Sequence, residues 1–360
     1  MSTRSRVDGV GDAWTLLRRG LRREHRLAVW VRREDPFALA GTELAFPSQF
    51  IPARIPDVSA SLEDDVRLPT RQRLLRARAV LRDLGMHVAA AARLGTQPAP
   101  AEIDLLLRAG AITDQAPRDT VYSYAYWNPP SHRRLFSDLP AEAAFVDNVD
   151  VSIRHLTIIA LALCEIRSGQ VTAGAALSKA LSTAATQLMQ CMIAVSRSVT
   201  PAQFTHQLRP FFDPLRVGEE SYLGPGGAQL PVTIVDVLMF GHATTEPSRR
   251  LLLENLIYMP PGFRQLAQHA LSDACSEQLQ IRTESSTDHE LIAAAVRSAA
   301  RSILSFRRVH LKVAMANFAL RTDAAVGSGG YRPDVLQDIL QQQEAAIAAA
   351  WPGPSNARRA

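Results

Sequence analysis

Cysteine is scarce: Cys164, Cys191 and Cys275 are the only three in 360 residues, and they are too far apart for a CxxC pair or a zinc-ligand motif. Each lies in an apolar, helix-like stretch, where a free thiol packs as a small hydrophobe. The odd count excludes a disulfide scaffold. The polar stretch Met1 to Gly11 has no apolar signal-peptide core. Together these lead to the expectation of a reducing, cytoplasmic setting. Lysine is nearly absent, with Lys179 and Lys312 alone among the 40 basic residues. The net charge of +5 therefore reflects arginine usage rather than a ligand. Aromatic residues make up 6%, and none interleaves with Arg18-Arg19, Arg22-Arg23 or Arg358-Arg359. A single-strand nucleic-acid platform needs such interleaving, so these clusters read as solvated surface and no nucleic-acid partner is expected. The most apolar stretch, Ile153 to Ile166, is short and broken by Arg154, His155 and Glu165, so no membrane span is expected either.

What the chain has in quantity is helical periodicity. Hydrophobic residues are 47%, enough to bury a core. Apolar points at Trp14, Leu17, Leu21, Leu27 and Val31 predict a helix over Ala13 to Arg32. A proline-marked loop is expected over Asp35 to Leu68. Further helices are predicted over 70–92, 101–109, 139–166, 172–198, 232–240, 249–258, 262–276, 286–320 and 333–351. A short helix over 201–209 has Thr200 as its N-cap. The fold class is all-α, a multi-helix bundle. Tyr122, Tyr124, Tyr126 and Trp127, followed by Asn128-Pro129-Pro130, form an aromatic run between helices. It reads as a structural plug before it reads as a pocket wall.

One histidine of the nine stands apart through its neighbours. Ile303, Phe306, His310, Val313, Ala314 and Asn317 share a single face of the last long helix. Two readings fit His310: a core histidine bonded to a carbonyl, or an axial ligand of a metal or haem. No second His or carboxylate stands at i+4, so zinc and di-iron sites are not indicated. A single imidazole is sufficient for haem, and small Ala314 leaves room beside it for a flat ligand. Arg307 or Arg308 is a candidate partner for a propionate, or else a surface arginine. Further on comes Gly327-Ser328-Gly329-Gly330-Tyr331. Such a turn stops a helix, and it also exposes backbone N–H groups and a serine hydroxyl that can bind a carboxylate or ammonium.

Taken together, Phe306-Arg307-Arg308-Val309-His310 and Gly327-Ser328-Gly329-Gly330 resemble the haem-dependent tryptophan and indoleamine 2,3-dioxygenase superfamily. Three blocks narrow the resemblance to its rearranging branch, the monodechloroaminopyrrolnitrin synthases of the pyrrolnitrin pathway. The first is Tyr126-Trp127-Asn128-Pro129 with Asp138-Leu139-Pro140. The second is Leu208-Arg209-Pro210-Phe211, Arg216-Val217-Gly218 and Ser221-Tyr222-Leu223-Gly224-Pro225-Gly226. The third is His310-Leu311-Lys312 with Val326-Gly327-Ser328-Gly329-Gly330-Tyr331.

The resemblance implies an indoleamine 2,3-dioxygenase-like bundle, one helical domain over 1–360 whose haem and substrate core spans 119–360, with 1–118 less well matched. It implies one haem b on His310 and an indole pocket on the opposite haem face. Ser328 and Gly329 are implied to contact substrate, with Ser328 also the catalytic candidate. Tyr222, Gly224 and Gly226 are implied pocket or haem-edge residues. Arg209 and Arg216 are candidates for a substrate carboxylate or a propionate, or else pin loops. Phe318 stands where the family places a tyrosine near the substrate, which leaves the fit to 7-chlorotryptophan open. Ser152 and His155 are candidates for a distal polar residue. Ala314 takes the place of the cysteine in the HxxxC haem-linked type, so a covalent haem is not expected. The implied activity is oxygenation or rearrangement of tryptophan or a halotryptophan in antibiotic biosynthesis, with dioxygen or peroxide as oxidant and an electron donor as partner. A peroxide-driven hydroxylase of an aromatic amino acid and a non-catalytic haem protein remain as alternatives.

Overall fold

The computed structural model describes residues 4–33, 70–241, 246–272, 275, 279–283, 285–321, 326–327 and 329–350. The loop expected over Asp35 to Leu68 lies outside them, as does Ser328. Helices account for nearly all of the described structure: α1 (Arg4–Arg33), α2 (Thr70–Arg93), α3 (Pro100–Thr113), α4 (Pro140–Ser168), α5 (Gly174–Ser198), α6 (Val232–Phe240), α7 (Glu246–Asn255), α8 (Pro261–Leu271), α9 (Ser286–Phe318) and α10 (Pro333–Ala350). The expected boundaries hold within a few residues at most ends. Helix α3 runs four residues further than expected, and its first turn is closed by Glu102, whose carboxylate accepts from the Ala99 N–H at 2.7 Å.

Helix α5 lies between α4 and α9, and α10 covers another side of α9. Helix α1 packs on α4 and α8. All nine residues of α6 are buried, as expected of a helix that is apolar all round. Its one charged residue, Asp236, pairs with Arg307 of α9. A second, smaller core gathers α2, α3 and the strand residues Leu215 and Val217.

The only strands among the described residues form a hairpin, β1 (Leu215–Val217) and β2 (Glu220–Tyr222), with Arg216 opposite Ser221. Helical periodicity could not announce it, because each strand is three residues long. The segment over 201–209 is also not one α-helix. After a single turn capped by Thr200, residues Phe204–Leu208 form a wide π turn in which the Arg209 N–H donates to the Phe204 carbonyl.

The aromatic run is a plug, as its composition suggests. Tyr122, Tyr124, Tyr126 and Trp127 are all almost completely buried. Glu142, in the first turn of α4, organises it. Its carboxylate accepts from the Tyr124 hydroxyl at 2.8 Å, the Phe136 N–H at 2.7 Å, and the Ser137 N–H and hydroxyl at 2.7 and 2.6 Å. Burial raises the Glu142 pKa, opposed by these bonds. Glu142→Ala would leave the buried Tyr124 hydroxyl and Phe136 N–H, and the part-buried Ser137 N–H and hydroxyl, without this acceptor. The expected loss is about 2–5 kcal/mol of folding stability. Urea denaturation measures it, and a midpoint equal to wild type would contradict the role assigned to Glu142.

Candidate active site

Helices α4, α5 and α9 face one another across a cavity of about 220 Å³. The segment Pro225–Ala228, the glycine turn and the start of α10 close it. Most of the wall is apolar: Phe145 and Val149 from α4, Met192 and Val195 from α5, and Phe306, Val313, Ala314 and Phe318 from α9. Of the aromatic plug, Tyr124 reaches this wall. Three and four residues apart on α9, the lining residues occupy the face that helical periodicity picks out.

His310 is half-buried, with cavity space against its ring. The Phe306 ring lies one turn before it at 6.1 Å between centroids and 21° between planes. The ring makes no hydrogen bond to any described residue, unlike a core histidine tied to a carbonyl. Burial, with the nearby Arg307 charge, pushes its pKa down to about 4. The imidazole is therefore neutral near pH 7 and has a nitrogen lone pair to offer. In front of Nε2 lies Gly227, where an added Cβ would stand 3.6 Å away. Glycine keeps that space free of side chain. Among the described residues, no group of three or more His, Cys, Asp and Glu side chains is placed to hold a metal ion by itself.

The polar lining is nearly all committed to protein partners. The Ser152 hydroxyl donates to the Asn148 carbonyl at 2.8 Å. Arg307 bonds Asp236, whose carboxyl burial pushes up in pKa against the pull of that arginine. Arg209, 7% exposed, donates through Nη1 to Asp213 at 2.5 Å and through Nη2 to the Gly327 carbonyl at 3.5 Å. Its Nε is buried without a partner among the described residues, and so is Asn317 Oδ1.

The structure brings His310, Arg307, Arg209, Gly226, Phe318 and Gly329 to the cavity wall. Arg307 arrives there paired with Asp236, and its Nε, like that of Arg209, is buried without a partner among the described residues. Arg308 faces outward and pairs with Glu344 at 2.7 Å. Tyr222, Gly224 and Arg216 are not at the wall. Arg216 is exposed on β1, and its Nε donates to the Gly218 carbonyl at 3.3 Å. The Tyr222 carbonyl accepts from buried Arg118 at 2.9 Å. A Cβ on Gly224 would come within 2.6 Å of the Phe212 carbonyl oxygen, so this glycine serves a close backbone crossing. The hairpin carries these three residues away from the site, although they adjoin it in sequence. His155 does not reach the wall, whereas Ser152 does. Thr205, Gly227 and Tyr331 line the cavity without having been singled out. Gly227 follows directly on the Ser221–Gly226 block, which was the available signal for it.

The lowered His310 pKa has a measurable sign. A ring that binds its proton less tightly when folded makes protonation favour unfolding. Stability should therefore fall as pH drops from the ordinary value of 6.5 toward about 4. His310→Gln should flatten that slope in urea titrations. Ring-proton NMR of wild type should show no His310 titration above pH 5.5, and a midpoint near 6.5 would contradict the burial described.

A model of the family described as Monodechloroaminopyrrolnitrin synthase PrnB matches residues 66–352. That span contains every cavity-lining residue, the hairpin, and helices α2 through α10. None of the described helices is long and apolar enough to cross a membrane. The chain belongs to the monodechloroaminopyrrolnitrin synthase PrnB family, enzymes of pyrrolnitrin biosynthesis.

Proposed function

We propose that the chain binds one haem b through His310 and uses it to oxidise an indole amino acid, tryptophan or a halotryptophan, toward an aryl-pyrrole product. The observation that carries this reading is the His310 ring itself: neutral, unbonded to described residues, lining a cavity, and with a glycine, Gly227, where a side chain would otherwise touch its Nε2. A half-buried imidazole with no protein partner that lines a cavity has a lone pair to offer a ligand, and coordination would use it. A single imidazole is a donor that a haem, which brings its other ligands with it, can use. A haem with an indole beside it fills more than the present cavity, so the walls must part as they bind. When bound, the haem iron supplies activation of dioxygen or peroxide.

The remaining chemistry falls to the chain. The Phe306 ring lies nearly parallel to the His310 ring one turn before it, and small Ala314 lines the cavity one turn after it. The apolar wall excludes water and orients the indole. Arg209, with its unpartnered Nε, takes the substrate carboxylate. Ser328, in the glycine turn, contributes a hydroxyl to the amino-acid group. Phe318 offers no hydroxyl, so the substrate ring meets only apolar contact there.

Purified protein should carry a histidine-ligated haem spectrum that His310→Ala abolishes while the circular dichroism stays helical. Full haem occupancy in that variant would remove His310 as ligand. Gly227→Val should weaken haem binding by placing methyls before Nε2. Ser328→Ala should weaken tryptophan binding, followed by the Soret shift, by about 1–3 kcal/mol. Mass analysis of products from tryptophan, 7-chlorotryptophan and tyrosine, with dioxygen and reductant or with peroxide, tests the activity. Products formed only from tyrosine and peroxide would replace this reading with a hydroxylase.

A further inference from the structure

We infer that the side-chain amide of Asn317 accepts a hydrogen bond from the α-ammonium group of an amino-acid substrate, and so makes the cavity selective for amines; this rests on the reading of the cavity as an indole amino acid site. The inference comes from accounting for the polar atoms on the wall. Thr205, Thr233, Ser152 and Tyr124 each spend their hydroxyls on protein acceptors. Arg209, Arg307 and His310 offer donors or a metal-binding nitrogen. Asn317 Oδ1 is the buried side-chain acceptor on the described wall that has no partner among the described residues. Leaving such an atom unpaired costs free energy, so a ligand donor is the expected partner.

The place of Asn317 decides which donor. It stands two helical turns beyond His310 on the same face, about 10 Å along the axis. The Thr205 hydroxyl donates to the Asn317 carbonyl at 3.3 Å, which ties the helix to the wide turn leading into Arg209. Arg209 in turn reaches the Gly327 carbonyl. The Arg209 donor and the Asn317 acceptor are thus tied to one connected stretch of the cavity wall. An α-amino acid presents a carboxylate and an ammonium on the same carbon, so its receptors must be neighbours. Arg209 Nε suits the carboxylate and Asn317 Oδ1 the ammonium. An indole N–H, at the other end of the substrate, would lie toward the apolar wall.

Isothermal titration of the full-length protein, as purified, tests this with L-tryptophan, indole-3-propionate and 1-methyltryptophan. Wild type should prefer tryptophan over indole-3-propionate by about 10- to 100-fold. Asn317→Ala should bind the two alike, and Asn317→Asp, which keeps an acceptor, should retain the preference. An unchanged preference in Asn317→Ala overturns the inference and leaves the functional reading standing. Loss of discrimination against 1-methyltryptophan instead would assign the amide to the indole N–H and overturn it as well. Wild type that binds no indole amino acid overturns the reading on which it rests.

Discussion

The buried ion pair between Arg307 and Asp236 fixes α9 against α6, and the site follows from that registration. A guanidinium and a carboxylate with so little water around them are tolerable only when they meet. Sliding α9 by one residue would part them and leave two uncompensated charges. The pair therefore sets which face of α9 looks into the cavity. His310 lies three residues after Arg307, so the same contact that pays for the charge also aims the ring. The arginine's field adds to burial in keeping that ring unprotonated.

Much of this site was legible in the sequence because helices repeat. Phe306, His310, Val313, Ala314 and Asn317 were placed on one face by spacing alone, and they share one wall in the structure. Gly226, Phe318 and Arg209, named by the resemblance, also line that cavity. Periodicity and resemblance both failed at the hairpin. Residues 215–226 are contiguous in sequence, but two three-residue strands turn the chain outward before it returns. Tyr222, Gly224 and Arg216 are spent on that excursion. Arg118 pins both of its ends, donating to the carbonyls of Asp213 and Tyr222. No local pattern announces a buried arginine one hundred residues away as the cause.

Membership of a family of pyrrolnitrin-pathway enzymes and the geometry of the cavity bear on different questions. The family match spans the whole described wall and says which kind of biosynthesis the chain serves. The geometry says which atoms are left to do chemistry. After protein bonds are subtracted, the His310 imidazole, the Nε edges of Arg209 and Arg307 and the Asn317 amide oxygen remain among the described lining groups. These are the atoms a bound molecule would meet there.

The wide turn at Phe204–Leu208 has a consequence for how this enzyme can diversify. A π turn holds one residue more than the α-helix it interrupts. Removing that residue would restore regular winding and swing everything after it by about 100°. Arg209 would then leave the wall without any change of residue type. Length variation at this point is thus a different lever from point substitution: a single-codon deletion or insertion could exchange a guanidinium on the cavity wall for another side chain in one step.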